Sequence, residues 1–245
     1  MRMRVIGVTD VGLHRKENQD TFSIAEACGR QVAIVCDGMG GEKGGKVASS
    51  IAAETYLSQL KELLRPDMSI EQTRELSSFC VAQANSAVHQ YALENPDCKG
   101  MGTTLVSVIT DGVDALVSNI GDSRAYLVRG GKLSRITHDH SVVESLVEAG
   151  DITAEEARTH PNRNLITRAL GPEASAACDT YEMKLKAGDQ LLLCTDGLIV
   201  TATDAQIERT ICESDNIDAA LTALITLAKQ YGAPDNVTAV LMENL

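Results

Sequence analysis

The chain has 245 residues, 44% of them apolar, and a formal charge of −12. That length suits one large layered domain or two small ones, and the apolar share is enough for a substantial core. Aromatics make up only 3% with no Trp, and acidic residues outnumber basic ones, so base stacking and phosphate-backbone binding are excluded and no nucleic-acid partner is expected.

Residues 2–9 alternate well enough for a first strand and residues 20–25 for a second. The opening MRMRVIGVTD holds only a short apolar patch, too small for a signal-peptide core, and nothing later approaches a membrane span. Between the two strands lies DVGLHRKENQD, a polar loop carrying Arg15, Lys16, Asn18 and Asp20. Residues 32–36, VAIVC, have the β-branched content of a buried strand and end abruptly in Asp37, with Gly38, Gly40 and Gly41 following. Glycines there permit a turn and the close approach of a ligand. Burying a carboxylate is costly unless a cation sits on it, so Asp37 reads as a metal ligand with the Gly38 carbonyl beside it. A lone Asp-Gly is more often a turn, and the reading therefore needs support from elsewhere in the chain.

A helix is expected over 45–64, with Ala48, Ala52, Tyr56, Leu60 and Leu63 at helical spacing and Pro66 stopping it. Ser69 with Gln72 is a capping box that opens a second helix to residue 95, where Pro96 follows. The period then changes to short strands over 102–110, 114–121 and 123–129, punctuated by Asp111-Gly112 and Gly130-Gly131. Capping boxes at Ser141/Glu144 and Thr153/Glu156 open two short helices, and residues 141–165 read as a mobile surface insertion. Strands follow over 165–169, 179–185 and 190–195, helices over 203–213 and 218–231, and a last strand over 236–242. Blocks of strands and helices, without strict alternation, predict an α+β fold of antiparallel sheets with helices outside. No linker or repeat divides the chain, so a single domain over 1–245 is expected.

Asp37 has company. Asp20, Asp122, Asp196 and Asp235 also stand at the ends of apolar strand-like runs. Each alone reads as a turn or boundary residue, but carboxylates gathered at one rim repel unless hard cations separate them, and donors that are all oxygen favour Mg²⁺ or Mn²⁺. Two such ions roughly 3.5 to 4 Å apart activate a shared water and stabilise in-line displacement at phosphorus. Arg15 would grip the phosphoryl group, because a guanidinium matches it bidentately.

Seven motifs in order carry a resemblance. Arg15-x-x-Asn18-Gln19-Asp20, Asp37-Gly38-Met39-Gly40-Gly41, Met101-Gly102-Thr103-Thr104, Gly121-Asp122-Ser123-Arg124, Thr137-x-Asp139-His140-Ser141, Thr195-Asp196-Gly197-Leu198 and Asp235-Asn236-Val237-Thr238 resemble those of the type 2C, metal-dependent serine/threonine protein phosphatases (the PPM family) in compact bacterial form. The resemblance spans residues 9–240. It implies a four-layer αββα sandwich, two antiparallel sheets flanked by helices, with a two-metal Mn²⁺ or Mg²⁺ centre at one end. Asp37 would bridge both ions and Gly38 would give its carbonyl to one. Asp196 and Asp235 would complete the other, and Asp20 would act directly or through water. A third, weaker ion would be held with help from Asp122. Arg15 would bind the substrate phosphate, and 141–165 would be the flap beside the site.

The implied activity is hydrolysis of phosphoserine and phosphothreonine in proteins, with phosphoprotein substrates of a cognate Ser/Thr kinase, a signalling role, and a monomeric protein. Two departures stand out. Met39 occupies the place of a proton-donating histidine found in some relatives, which moves that role to a water on the third ion. Gln19 replaces a glutamate, which leaves one fewer carboxylate.

Rival readings are weaker. Gly40-x-x-x-x-Gly45-Lys46 misses a P-loop because Val47 lacks the hydroxyl that would hold Mg²⁺, and Asp37 would repel the phosphates. Lys46 is then expected to be a solvated helix-start residue. A non-catalytic phosphoprotein binder should have lost ligands, whereas here all the expected aspartates and Arg15 are present. His138 and His140 lack the Cys or third His of a zinc site and are expected at the surface or behind the main site. Seven scattered cysteines without a Cys-x-x-Cys pair support neither a zinc ribbon nor disulfides, which places the chain in a reducing cytoplasm. Cys36 and Cys194 are expected to be small buried hydrophobes.

Overall fold

The computed structural model describes residues 3–245, apart from the side chain of Glu42, so Arg2 of the expected first strand lies outside the described residues. Strands β1 (Met3–Asp10), β2 (Thr21–Ala27), β3 (Arg30–Cys36) and the two-residue β4 (Gly38–Met39) lead into helices α1 (Gly41–Leu63) and α2 (Ile70–Glu94). Next come β5 (Gly102–Thr103), β6 (Leu105–Thr110), β7 (Asp114–Ile120), β8 (Arg124–Arg129) and β9 (Lys132–Arg135). Helices α3 (Val142–Ala149) and α4 (Ala154–Thr159) precede β10 (Asp179–Lys184) and β11 (Gln190–Cys194). The chain finishes with α5 (Asp196–Ile199), α6 (Asp204–Cys212), α7 (Ile217–Gln230) and β12 (Val237–Asn244).

Two five-stranded antiparallel sheets form, one in the order β1-β12-β11-β8-β9 and the other β10-β7-β6-β3-β2. The alternation of side chains along each strand explains the layers. In β3, Ala33 and Val35 join the core between the sheets, while Val32, Ile34 and Cys36 pack under α1 and α2. In β11, Leu191 and Leu193 face the intersheet core, while Leu192 and Cys194 pack under α6 and α7. A strand covered on both faces reads as a continuous apolar run, which is why VAIVC and LLLC lack polar alternation although the sheets are antiparallel. The order is helices, sheet, sheet, helices, as the αββα expectation requires. Cys36 and Cys194 are fully buried, and burial pushes the Cys194 thiol up to about 12.

The helix layer on α1 and α2 contains a polar cluster within its apolar core. The Tyr56 hydroxyl lies 2.6 Å from Ser77 Oγ and accepts from Ser107 Oγ at 2.9 Å, and Ser77 Oγ is 2.8 Å from Ser118 Oγ. These bonds join α1, α2, β6 and β7 without leaving a buried hydroxyl unpaired.

Several expectations need correction. Helix α1 begins at Gly41, not residue 45, so Gly44 and Gly45 lie inside it against their low helix propensity. Close packing decides this: a Cβ on Gly45 would stand 2.6 Å from the Gly38 carbonyl oxygen, and one on Gly44 would stand 3.0 Å from Met101 Cβ. The expected strand 102–110 breaks at Thr104 into β5 and β6, which belong to different sheets. Residues 165–169 form no strand. They lie across the base of the α3–α4 segment, where the Ser141–Ile166 bridge is the sole sheet-like pairing involving them among the described residues. Strand β9 and the single-turn α5 were not anticipated, the first because KLSR alternates over only four residues, the second because DGLI is too short for a helical period.

Replacing Tyr56 by Phe should lower stability by about 1–3 kcal/mol, because Ser77 and Ser107 lose their shared partner in a dry core. A urea melt should show a lower midpoint with an unchanged slope.

Candidate metal centre

Strand register gathers the aspartates at one rim of the sandwich. Thr21 pairs with Cys36, so Asp20 and Asp37 flank adjoining ends of β2 and β3. Cys194 pairs with Arg124 on one side and Ala239 on the other, which sets Asp196 between the Asp122 turn and the Asp235 turn. One sheet thus contributes Asp20 and Asp37, the other Asp196 and Asp235, and the β7–β8 connection that crosses between sheets contributes Asp122.

Threonines and amides hold these turns in place. The Asp37 N–H donates to Thr104 Oγ1 at 2.9 Å, and its carbonyl accepts from the Thr104 N–H at 2.9 Å and Thr103 Oγ1 at 2.8 Å. Thr104 Oγ1 also lies 2.7 Å from Ser123 Oγ, so one hydroxyl ties the Asp37 tip to the Asp122 turn. Asp20 Oδ2 accepts from Thr195 Oγ1 at 2.9 Å, and that oxygen accepts the Thr238 N–H at 3.0 Å. Asn236 stitches the 11–20 loop down: its Nδ2 donates to the carbonyls of Val11 and Glu17, and its Oδ1 accepts the Gln19 N–H at 2.8 Å. Two glycines permit the crowding. A Cβ on Gly197 would stand 1.9 Å from the Asn236 carbonyl oxygen, and one on Gly38 would stand 2.0 Å from the Gly45 carbonyl oxygen.

The result is a cleft of about 1010 Å³ whose lining includes Arg15, Asp37, Gly38, Asp122, Asp196 and Asp235. Asp20 lies behind them, only 2% exposed. Arg15 Nη2 donates to Asp235 Oδ2 at 2.6 Å, and the Asp235 Oδ1 accepts the Asn236 N–H at 2.8 Å. Lys46 corrects its expectation: its Nζ donates to the Asp20 carbonyl at 2.9 Å and to Thr21 Oγ1 at 3.2 Å.

Residues 14–242 match the protein phosphatase 2C family. The chain belongs to the type 2C protein phosphatases. It is 35% identical over 236 residues to the serine/threonine phosphatase stp of Listeria innocua, covering 96% of this chain and 93% of that one. The structure of Stp1 from Staphylococcus aureus superposes with a TM-score of 0.94 at 34% identity, covering 99% of this chain and 95% of the other. The catalytic domain of PstP, solved in complex with two manganese ions, superposes with a TM-score of 0.85 at 33% identity, covering 98% and 97%. Type 2C phosphatases are metal-dependent hydrolases, and the charge balance of this cleft fits that chemistry.

Among the described residues, Arg15 is the only cation ion-paired with any of the five aspartates. Burial pushes the Asp37 carboxyl far above the ordinary range, and Asp20, Asp196 and Asp122 push it further. Burial, with Asp196 and Asp235, brings Asp20 to about 7 against the pull of its threonine hydrogen bonds. Burial, with Asp196 and Asp139, brings Asp122 to about 8, and burial with Asp235 brings Asp196 to about 6. Asp20 Oδ1 and Asp196 Oδ1 are buried with no partner. Oxygen donors orphaned in this way fit hard divalent cations.

Sequence reasoning assigned no role to Thr103, Thr104, Thr195 or Asn236, although all sit inside the quoted motifs. His14 also lines the cleft. The two histidines of the rival zinc reading separate: His140 is buried at 6% exposure, while His138 lies exposed beside Glu144 and Glu148. Arg135 already pairs with Glu144 at 3.1 Å.

A pH dependence follows from these carboxyls. Each keeps its proton to higher pH in the folded chain than in the unfolded one, so the native state binds more protons from about pH 4 to about pH 8, and stability falls as pH rises through that window. The lowered carboxyls of Asp10, Asp111, Asp179 and Asp189 act in the opposite sense at the acid edge and are ionised in both states above about pH 5, where they add no slope. With EDTA present, the melting temperature should therefore drop between about pH 5 and pH 8, and Mn²⁺ should raise it most at the alkaline end. Differential scanning calorimetry at fixed ionic strength checks both.

Proposed function

We propose that this phosphatase hydrolyses phosphoserine and phosphothreonine in proteins at a binuclear Mn²⁺ or Mg²⁺ centre, with Asp122 contributing to a third ion. The observation that carries the reading is the set of five converging aspartates, two of them with orphaned buried oxygens, facing a single paired cation among the described residues. Asp37, the Gly38 carbonyl, Asp196 and Asp235 would hold the two ions, with Asp20 supporting from behind. Such ions, when bound, supply an activated water and neutralise charge on the phosphoryl oxygens.

The protein's own groups do the rest. Arg15 is exposed at the cleft mouth, where the Asp235 carboxylate fixes its orientation and keeps it charged. Its remaining N–H donors are available to phosphate oxygens in the fork geometry that a phosphomonoester dianion matches. Cys36 is the nearest thiol, but it points into the helix-side core with its pKa raised by burial and by Asp20 and Asp37, so it is no nucleophile. In this reading water attacks phosphorus directly and gives up a proton, the bond to the serine or threonine oxygen breaks, that oxygen takes up a proton from solvent, and no phosphoenzyme forms. Met39 carries no proton to give the leaving oxygen.

Substrates would be phosphoproteins of a cognate Ser/Thr kinase. A cytoplasmic site of action is supported by seven free cysteines. No helix among the described residues is long and apolar enough to cross a membrane.

Release of p-nitrophenol from p-nitrophenyl phosphate should need Mn²⁺ and stop with EDTA. Asp37→Asn should abolish both tight Mn²⁺ binding, read by calorimetry, and turnover; unchanged binding and turnover would refute the metal reading. Arg15→Ala should raise KM for a phosphothreonine peptide by roughly 10-fold or more, the loss of a charge-assisted hydrogen bond of about 1.5–3 kcal/mol, with Mn²⁺ affinity retained.

A further inference from the structure

His140 is buried beside the Asp122 turn, and both of its ring nitrogens are engaged. Its Nδ1 accepts the Gly121 N–H at 3.1 Å, and its own backbone N–H donates to the Gly121 carbonyl at 2.9 Å. An acceptor Nδ1 requires the proton on Nε2, which faces Asp179 Oδ2 at 3.1 Å. Arg168 Nη1 donates to the other Asp179 oxygen at 3.0 Å and so holds that carboxylate in place; it also lies 3.3 Å from Nε2, farther than the Asp179 oxygen that takes the Nε2 proton. Gly121 itself has φ 106° and packs where a Cβ would stand 2.5 Å from Thr104 Cγ2, so the turn has little freedom to relax without its clamp.

Asp122 is therefore gripped on both sides. His140 holds Gly121, Thr104 holds Ser123, and Arg124 binds Asp139 through Nε and Nη2 at 2.7–3.1 Å. The segment carrying Asp139 and His140 leads directly into α3, and the His140 carbonyl accepts the Thr167 N–H at 2.7 Å, on the far side of the α3–α4 segment. His140 thus links the Asp122 turn to β10 through its ring and ties in both ends of that segment through its backbone.

We propose that His140 is a positioning residue for Asp122: its Nδ1 fixes the turn that aims the carboxylate into the cleft, and Asp179 selects the tautomer that leaves Nδ1 free to accept. This rests on the reading of Asp122 as a carboxylate for the third ion. A partner one bond removed from a ligand typically alters metal affinity 10- to 100-fold.

The test is Mn²⁺ titration calorimetry of the full chain, with kcat and KM for a phosphothreonine peptide measured in parallel. Asp122→Asn should remove the weakest Mn²⁺ site. His140→Leu should weaken that same site by roughly 10-fold or more, leave the tighter sites and KM within about twofold, and lower kcat. His140→Asn, whose Oδ1 can accept the Gly121 N–H, should restore most of the loss. Asp179→Ala, at a partly exposed position, should weaken the same site alone and carries the test if His140→Leu does not fold. The proposal is overturned if the His140 and Asp179 variants bind Mn²⁺ like the parent, if all sites weaken in parallel, or if His140→Asn is no better than His140→Leu. Unchanged Mn²⁺ binding in Asp122→Asn would instead refute the third-ion reading itself, a distinct outcome from Asp122→Asn losing the site while the His140 variants keep it.

Discussion

Uncompensated negative charge at one rim of the sandwich is the constraint on which the rest depends. Five aspartates from both sheets and the crossing between them converge there, and burial together with neighbouring carboxylates raises the proton affinity of Asp20, Asp37, Asp122 and Asp196. The only ion pair offered to them among the described residues is Arg15, on the outermost member. Left alone, such a group holds protons; divalent cations displace those protons and let the carboxylates approach. The same arrangement that costs folding stability at neutral pH is the one that, in the proposed reading, would confer metal affinity.

A rim of that kind needs rigid support from neutral groups, because charged partners would satisfy the carboxylates and defeat the site. Thr104, Thr195 and Thr238 supply it through hydroxyls and amides, and Lys46 applies its charge to a backbone carbonyl of Asp20, leaving the carboxylate free. Arginine pairs appear one layer out. Arg124 and Arg135 meet on Asp139, behind the Asp122 turn, where the ion pair anchors the chain without neutralising the cleft. Gly38 and Gly197 serve the same end by steric means, since any side chain there would collide with a carbonyl oxygen of a neighbouring loop.

The near-match to a P-loop illustrates how spacing alone misleads. Gly40, Gly45 and Lys46 have the separation of a phosphate cradle, but Gly45 is small to admit the Gly38 carbonyl, and Lys46 turns back to the start of β2. The glycines cluster because backbone meets backbone there. In the function proposed above, phosphate recognition would fall instead to Arg15, on a loop that Asn236 clamps from the opposite end of the sequence.

Much of this was legible in the residues. The long runs VAIVC and LLLC, the capping boxes at Ser69 and Thr153, and the apolar spacing of α1 are local signals whose physics acts over a few residues. The aspartates announced themselves because a carboxylate ending an apolar strand is costly wherever the strand goes. What the linear order could not reveal was set by contacts across the fold. Helix α1 extends back over Gly41–Gly45 because Met101 and the Gly38 carbonyl demand bare backbone, and residues 165–169 are denied a strand because they lie over the α3–α4 base. His140 and Thr104 acquired their places through hydrogen bonds to turns distant along the chain. Local propensity and charge cost belong to the sequence alone; close approach and hydrogen-bond pairing depend on which strands become neighbours, and tertiary structure alone decided that.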